Sequence, residues 1–495
     1  MEDSMANFDY DFGIIGGGSA GLTAASVSSQ LGAKTLLIEK KEALGGDCLH
    51  YGCVPSKALI RSARVYHLIK TAETLGLGKV TPPPVDFKKV SNRIRSVIAH
   101  IQKHDSVERF CKLGTQVEFG QPEFTDEHAM TLDGKTYSAK KWLVATGSSP
   151  FVPPIEGLDN TPFITNKEIF YLDKLPKSMV IIGAGPIGIE MGQSFNRFGT
   201  EVTVVDMADQ ILNKEDKDMS DGVMQVLSDE GVRFLMNASI KRVEDKGTHR
   251  EVTVELKGGE AKTLRCDTIL VSVGRTPNTE GLGLEKIGIQ YDRRGIKVDS
   301  RLRTNLKHIY GAGDVIGGYL FTHASGYEGS IVTVNAIGHM PKKVDYTHLP
   351  WCTYTEPELA SIGMNEKRAS TAGVKYTVWK EEFQSNDRSV AEGHMTGHVK
   401  LLLNEKDKPI GVQIFGPEAG TLVSEWVAVM NSEVKLSTLA SSVHPYPTLG
   451  EINFRVAGKR LAEKFYSEKM KKILKMFFNL RGRACEPALE GADSA

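Results

Sequence analysis

Short apolar runs that stop at glycine-rich turns alternate along this chain with longer stretches of small and apolar residues. The first run, Tyr10-Asp-Phe-Gly-Ile-Ile, meets the turn Gly16-Gly17-Gly18-Ser19-Ala20-Gly21. A small-residue stretch to Leu31 follows, and then Lys34-Thr-Leu-Leu-Ile-Glu39-Lys40. That order predicts strand, tight turn, helix and second strand. About 167 residues later it repeats, as Met179-Val-Ile-Ile-Gly183-Ala-Gly185-Pro186-Ile187-Gly188 and then Glu201-Val-Thr-Val-Val-Asp206. Further strands ending in glycine turns are expected at 142–148, with Thr146 and Gly147, at 268–278, with Gly274 and Arg275, and at 309–314, with Gly313 and Asp314. Pro150, Pro153 and Pro154 mark a linker. Strands alternating with helices predict an α/β chain.

Length and composition narrow the class. A chain of 495 residues exceeds what one core supports and implies three or four domains. With 40% hydrophobic and 25% charged residues it reads as an ordinary globular protein. A formal net charge of +0 gives no electrostatic reason to expect nucleic acid. Residues 1–11 are acidic and lack the basic and apolar regions of a secretory signal, and no apolar run approaches membrane-spanning length. A cytoplasmic location is therefore expected. Six cysteines in so long a chain do not make a disulfide scaffold, so a close pair among them points to redox chemistry or metal binding.

The repeated turns carry specific chemistry. Gly16 and Gly183 permit the tight turn, Gly18 and Gly185 let backbone approach a pyrophosphate, and Gly21 and Gly188 allow close helix–strand packing. Phosphates then sit at the helix N-terminus, and Glu39 or Asp206 meets a ribose. Two such units imply two dinucleotides, most simply a flavin and a nicotinamide that exchange a hydride. A carboxylate at 206, with no arginine at 207–209, argues for NADH over NADPH.

The second chemical feature is Gly45-Gly46-Asp47-Cys48-Leu-His-Tyr-Gly52-Cys53-Val-Pro-Ser-Lys57. Two cysteines five positions apart in a helical stretch can reach disulfide distance if the turn is distorted, and Gly52 helps allow it. Zinc would need two further ligands at suitable spacing. Cys111, Cys266, Cys352 and Cys485 are scattered, so no metal site is expected.

With Val-Pro-Ser-Lys following the pair, the chain resembles the class I pyridine nucleotide–disulfide oxidoreductases from near its start to about Gly458. The resemblance implies an FAD domain (1–150 and 279–346) carrying the redox disulfide, and an NAD(P) domain (151–278). It also implies an α+β dimerisation domain (347–467), followed by a basic tail (468–495). It implies that Cys48 meets the substrate, that Cys53 lies nearest the flavin, that Lys57 pairs with Glu190, and that Asp314 contacts FAD. It further implies a homodimer in which each active site borrows residues from the partner's C-terminal region.

Thiol-reducing members carry His-x-His-Pro-Thr-x-x-Glu in that borrowed segment. Here it reads His444-Pro-Tyr446-Pro-Thr-Leu-Gly-Glu451, so a tyrosine stands where the catalytic histidine belongs and the glutamate is kept. A phenol of ordinary pKa near 10 is a poor base at neutral pH. Either His444 substitutes, or the reaction needs no base there. Mercuric reductases resemble the second pattern, although the N-terminal metal-binding cysteines and the paired C-terminal cysteines of that branch are absent. The expected activity is electron transfer from NAD(P)H through FAD to Cys48–Cys53 and on to a disulfide, a metal ion or another small acceptor. A dihydrolipoamide dehydrogenase and a low-turnover redox sensor are the alternatives.

Past residue 464, Tyr466, Met470, Ile473, Leu474, Phe477 and Phe478 recur at helical spacing against lysines. Such a helix either lies on an anionic membrane or packs on the dimer with its lysines solvated, and packing on the dimer is the simpler expectation.

Overall fold

The computed structural model describes residues 8–482 and 484–485. The chain divides into two compact units, residues 1–359 and 360–495.

In the first unit the opening run becomes the strand Tyr10–Ile15, flanked in parallel by Thr35–Glu39 and Lys135–Val144. Thr115–Phe119 extends the sheet beyond Thr35–Glu39, and Ile309–Gly311 pairs with Lys135–Val144 on the other side. Every residue of Thr35–Glu39 is buried. Because side chains alternate across a strand, Leu36 and Ile38 enter the core on one face while Leu37 enters the core on the other. An uninterrupted apolar run is what a strand covered on both faces requires. Trp142 is fully buried in one of these cores and donates its indole N–H to His128 O at 3.0 Å.

The repeat in sequence is a repeat in topology. Ser178–Ile182 lies between Glu201–Val205 and Thr268–Val271, with Arg233–Leu235 outermost, all parallel. Both sheets therefore place a glycine turn, a helix N-terminus and a carboxylate together at the carboxyl ends of their central strands. A three-stranded antiparallel sheet (Ala238–Asp245, Arg250–Leu256, Ala261–Cys266) packs behind the second. Trp351, Tyr354 and Glu356 are tied to Glu215, Glu190 and Gln193 of this first unit.

The second unit is built on the antiparallel strands Thr377–Glu382, His398–Leu403 and Pro409–Gly416. Helices Ala419–Asn431 and Glu451–Phe465 are joined by a buried hydrogen bond from Trp426 Nε1 to Asn453 Oδ1, 2.9 Å long. Among the described residues no helix is long and apolar enough to cross a membrane.

Candidate active site

The two glycine turns differ in what fills the space beside each glycine. At Gly16, with φ +108°, a Cβ would lie 2.3 Å from Ala145 O, and at Gly21 it would lie 1.9 Å from Gly16 O. Gly183 and Gly188 are crowded in the same way, 2.7 Å from Ser272 O and 2.1 Å from Gly183 O. The chain's own backbone thus explains four of the six glycines. It does not explain the middle ones. A Cβ on Gly18 would meet only Gly46 Cα, at 3.9 Å, and one on Gly185 would meet nothing within 4 Å. The open side of each faces a helix N-terminus, Ser19–Gln30 or Pro186–Phe198, where a pyrophosphate would need the room. Both cradles fit a dinucleotide.

Each cradle holds its carboxylate by backbone. Glu39 accepts from Gly17 N at 2.6 Å and from Lys41 N at 2.8 Å; Asp206 accepts from Ala184 N at 2.7 Å and Ala208 N at 2.8 Å. A carboxylate has about four acceptor sites, so a ribose hydroxyl can still be received. Lys40 is exposed at the rim, and Ala20 and Ile187 lie in the first turns of the two helices.

The other predicted nucleotide residues converge on the first cradle. Thr146, Gly147, Gly274 and Arg275 meet where Ser148–Pro150 pairs with Arg275–Pro277. Asn278 stitches that corner, accepting at its carbonyl from Thr146 Oγ1 at 2.7 Å and donating to Thr146 O at 2.9 Å. Arg275 reaches Asp47 Oδ2 at 2.8 Å and Ser148 Oγ at 2.6 Å, while Ser148 donates to Asp314 at 2.5 Å. Burial pushes the Asp314 carboxyl up from its ordinary range. Gly313 N donates to the buried Glu328 at 2.6 Å.

The thiol pair stands beside this cradle, and here the helical expectation needs correction. Cys48 lies in a short helix, Gly46–His50, and Cys53 opens a separate one, Cys53–Lys70. The break at 51–52 folds the chain back: a Cβ on Gly52 would lie 3.1 Å from Cys48 Cα. The loop is tied down from outside, by Asn166 donating to Tyr51 O at 2.9 Å and by Tyr171 OH to His50 O at 2.8 Å. Thr322 joins the two features, since Ser19 Oγ donates to its carbonyl at 2.9 Å and its hydroxyl lies 3.4 Å from Cys53 Sγ.

The pair shares one proton unequally. The hydrogen bond from Cys48 stabilises a Cys53 thiolate, desolvation opposes it, and Thr322 and the Lys57 charge add support, so Cys53 falls to about 6. The same hydrogen bond, with burial, drives Cys48 far up. Two thiols so coupled titrate as a unit, first as one thiol plus one thiolate.

Lys57 donates to Glu190 Oε2 at 2.8 Å. Desolvation would lower the ammonium's pKa, but Glu190's charge and hydrogen bond outweigh it and raise it. Tyr354 holds both partners: its N–H donates to Glu190 Oε1 at 2.9 Å, and its ring lies 4.2 Å from Lys57 Nζ. Seven residues later on each helix, Arg64 and Arg197 both pair with Glu356, Arg64 at 2.8 Å, and Arg197 also meets Glu230 at 2.6 Å. Two rungs of charge thus lock these helices together. Cys352 is nearby, its thiol held well above the ordinary range by burial.

Segment 444–451 belongs to the second unit. Tyr446 is 69% exposed and donates to Asp387 Oδ2 at 2.9 Å, a bond that raises the phenol's pKa further. Glu451 is buried and accepts from Thr448 N at 3.4 Å. His444 places Nε2 2.9 Å from Glu425 and Nδ1 3.1 Å from the Ser442 carbonyl. Desolvation opposes its protonation, but those two hydrogen bonds raise its pKa. Both ring nitrogens of His444 are thus occupied by partners within its own unit.

Sequence motifs pointed to the glycines, the cysteines, Lys57 and the acids. Tyr354, Thr322, Asn278, Asn166 and Arg64 were missed because their chemistry exists only through partners distant in the chain. A Tyr-x-Glu-Pro stretch after an apolar run was the one available hint for Tyr354.

Residues 10–329 match the family described as pyridine nucleotide-disulphide oxidoreductase, and residues 349–454 match its dimerisation domain. A dihydrolipoyl dehydrogenase of Geobacillus stearothermophilus is 36% identical over 90% of this chain and 94% of its own. A mercuric reductase of Bacillus cereus is 30% identical over 90% of this chain and 70% of its own. The HOCl-induced flavoprotein disulfide reductase RclA of Escherichia coli superposes with a TM-score of 0.81 at 27% identity, over 91% of this chain and 99% of its own. The chain belongs to the pyridine nucleotide-disulphide oxidoreductase family. It is a flavoprotein disulfide oxidoreductase that uses FAD and NAD(P)H.

Proposed function

We propose that this family member is an NADH-fed reductase whose dithiol passes electrons to a thiophilic metal ion more readily than to an organic disulfide. The observation that carries this reading is Tyr446, an exposed phenol bonded to Asp387 where thiol-reducing relatives present an imidazole. Bound FAD would supply two-electron transfer between the nicotinamide and the sulfur pair. The net first half is NADH plus the Cys48–Cys53 disulfide giving NAD⁺, one Cys48 thiol and one Cys53 thiolate. In the second half Hg²⁺ takes two electrons from that pair, the disulfide re-forms and one proton leaves. Soft sulfur ligands serve that step. An organic disulfide instead ejects a thiolate that must be protonated, which is the task an imidazole performs and a phenol held above its ordinary pKa does poorly.

Asp206 supports NADH over NADPH, since its pinned carboxylate would repel a 2′-phosphate and Met207 beside it is exposed. A homodimer is proposed on the match of residues 349–454 to a dimerisation domain, with the partner's copy of segment 444–451 completing each site. A cytoplasmic setting is proposed because six cysteines in a chain of this length do not make a disulfide scaffold.

The dihydrolipoyl dehydrogenase relatives favour a second reading, NAD⁺-dependent oxidation of a dithiol. Anaerobic NADH is added to the yellow holoenzyme, followed by Hg²⁺, Cu²⁺ or lipoamide. Fast reoxidation by the metal ions and slow reoxidation by lipoamide is expected. In Tyr446→His, lipoamide turnover should rise by about tenfold or more, within the range of general acid–base catalysis. Wild-type lipoamide turnover as fast as metal reduction would overturn the reading.

A further inference from the structure

The helix Glu468–Phe478 lies beyond the residues that match the family, which end at 454. Ser467 caps it, its hydroxyl accepting from Met470 N at 3.4 Å. None of its residues is buried. Met470, Ile473 and Leu474 are half-buried, whereas Met476, Phe477 and Phe478 are 73%, 71% and 70% exposed, with Tyr466 at 73% and Leu480 at 50%.

Charge identifies what would cover it. Residues 464–482 carry six lysines and arginines against one carboxylate, Glu468, in a chain of net charge +0. Lys464 pairs with Asp407 and Lys471 with Glu468, while Lys469, Lys472, Lys475 and Arg481 are exposed. At 100° per residue, Met470, Ile473, Leu474, Phe477 and Phe478 share one arc, and Lys469 and Lys471 stand at its two margins. Marginal lysines can extend their stems along an apolar layer and keep their heads in a polar one. Phe465 and Tyr466 precede the helix and Phe477 and Phe478 end it, so aromatic rings lie at both ends of a rod about 16 Å long. A second copy of this chain would oppose lysine to lysine. An anionic layer with an apolar interior matches both faces.

We propose that the helix Glu468–Phe478 docks this enzyme on the surface of anionic lipid bilayers, lying in the interface with Phe477 and Phe478 among the acyl chains and its lysines among the headgroups. The helix lies on the membrane and does not cross it.

The test uses the full-length holoenzyme in vesicle flotation, with phosphatidylcholine alone and with phosphatidylcholine mixed with phosphatidylglycerol. Binding to the mixed vesicles and release by added salt are expected. Phe477→Glu with Phe478→Glu should abolish flotation, and Lys472→Glu or Lys475→Glu should each weaken it by about fivefold or more. NADH-dependent turnover of a soluble acceptor and thermal midpoint should be unchanged in these surface variants. No binding to the mixed vesicles would overturn the proposal. So would equal binding to both vesicle types, or a double-Glu variant that floats like the wild type. A double-Glu variant that changes sedimentation of the lipid-free protein, with no vesicle binding by either form, would assign the face to a second copy instead. Binding to an acidic protein without binding to vesicles would likewise overturn it.

Discussion

The cysteine–lysine centre and segment 444–451 are each read from a short motif, and the two fold very differently. Around Cys48 and Cys53 every polar group turns inward on its neighbours: Thr322 serves both Ser19 and Cys53, and Tyr354 holds Lys57 and Glu190 together. In segment 444–451 the same kinds of groups are directed away from one another. Tyr446 goes to Asp387, His444 to Glu425, and Glu451 to its own helix start. The thiol centre is thus tightly knit, while a tyrosine stands at 446 and the groups of segment 444–451 bond apart from one another. A family fingerprint can keep one half of a reaction's machinery and alter the other.

The most severe test of the comparison is Cys53→Ser. Turnover with every acceptor should fall by about a thousandfold or more, as loss of a covalent nucleophile does, while anaerobic NADH still bleaches the flavin. Retained metal reduction in that variant would remove the sulfur pair from the reaction altogether. Next in size is Glu356→Ala, which leaves the buried Arg197 with one partner fewer; a loss of about 3–5 kcal/mol in denaturant unfolding is expected. If stability is unchanged, the second rung does not hold the helices.

The pH dependence sharpens the same contrast. Ultraviolet titration of the reduced protein, read against Cys53→Ser, should show a thiolate forming with a midpoint near 6, below the ordinary 8.5 of a free cysteine. Because the folded value lies below the unfolded one, the thiolate's contribution to stability is fully present above about pH 8.5 and is lost as pH falls through 6. In Lys57→Met the midpoint should move upward, and a midpoint that stays put would mean the ammonium has no part in it.

Tyr354 offers a smaller effect. Tyr354→Phe keeps the ring over Lys57 and should behave as the wild type, whereas Tyr354→Leu should lose about 0.5–2 kcal/mol of that contact, read as a downward shift of the Lys57 pKa by NMR. Smallest of all, His444→Gln should change disulfide turnover less than about twofold, since both ring nitrogens are already taken up by Glu425 and the Ser442 carbonyl. A larger loss would restore His444 as the substitute base.

Much of this was legible in the chain. Gly21 and Gly188 are local steric devices, each facing the carbonyl of the first glycine of its own turn, so their spacing alone shows what they do, whereas Gly16 and Gly183 are crowded by Ala145 and Ser272, far along the chain. The cysteine pair is equally local, although the sequence suggested one distorted helix where a 5-residue helix and an 18-residue one meet at Gly52. Tyr446 could be read as a departure because a single position changes the chemistry of a known pattern.

Tertiary structure decided what those residues answer to. Lys57 and Glu190 are 133 positions apart, Asp47 and Arg275 are 228 apart, and neither periodicity nor spacing brings such charges together. The resemblance to a family supplied the first of these pairs, and nothing in the chain announced Tyr354 as its holder. The state of His444 was likewise hidden, because a histidine's protonation follows from what faces both its nitrogens. The tail shows the same division of information. Its 3.6-residue period determines an amphipathic helix, but only the fold reveals that, among the described residues, its aromatic end stays exposed, with Phe477 and Phe478 at 71% and 70%.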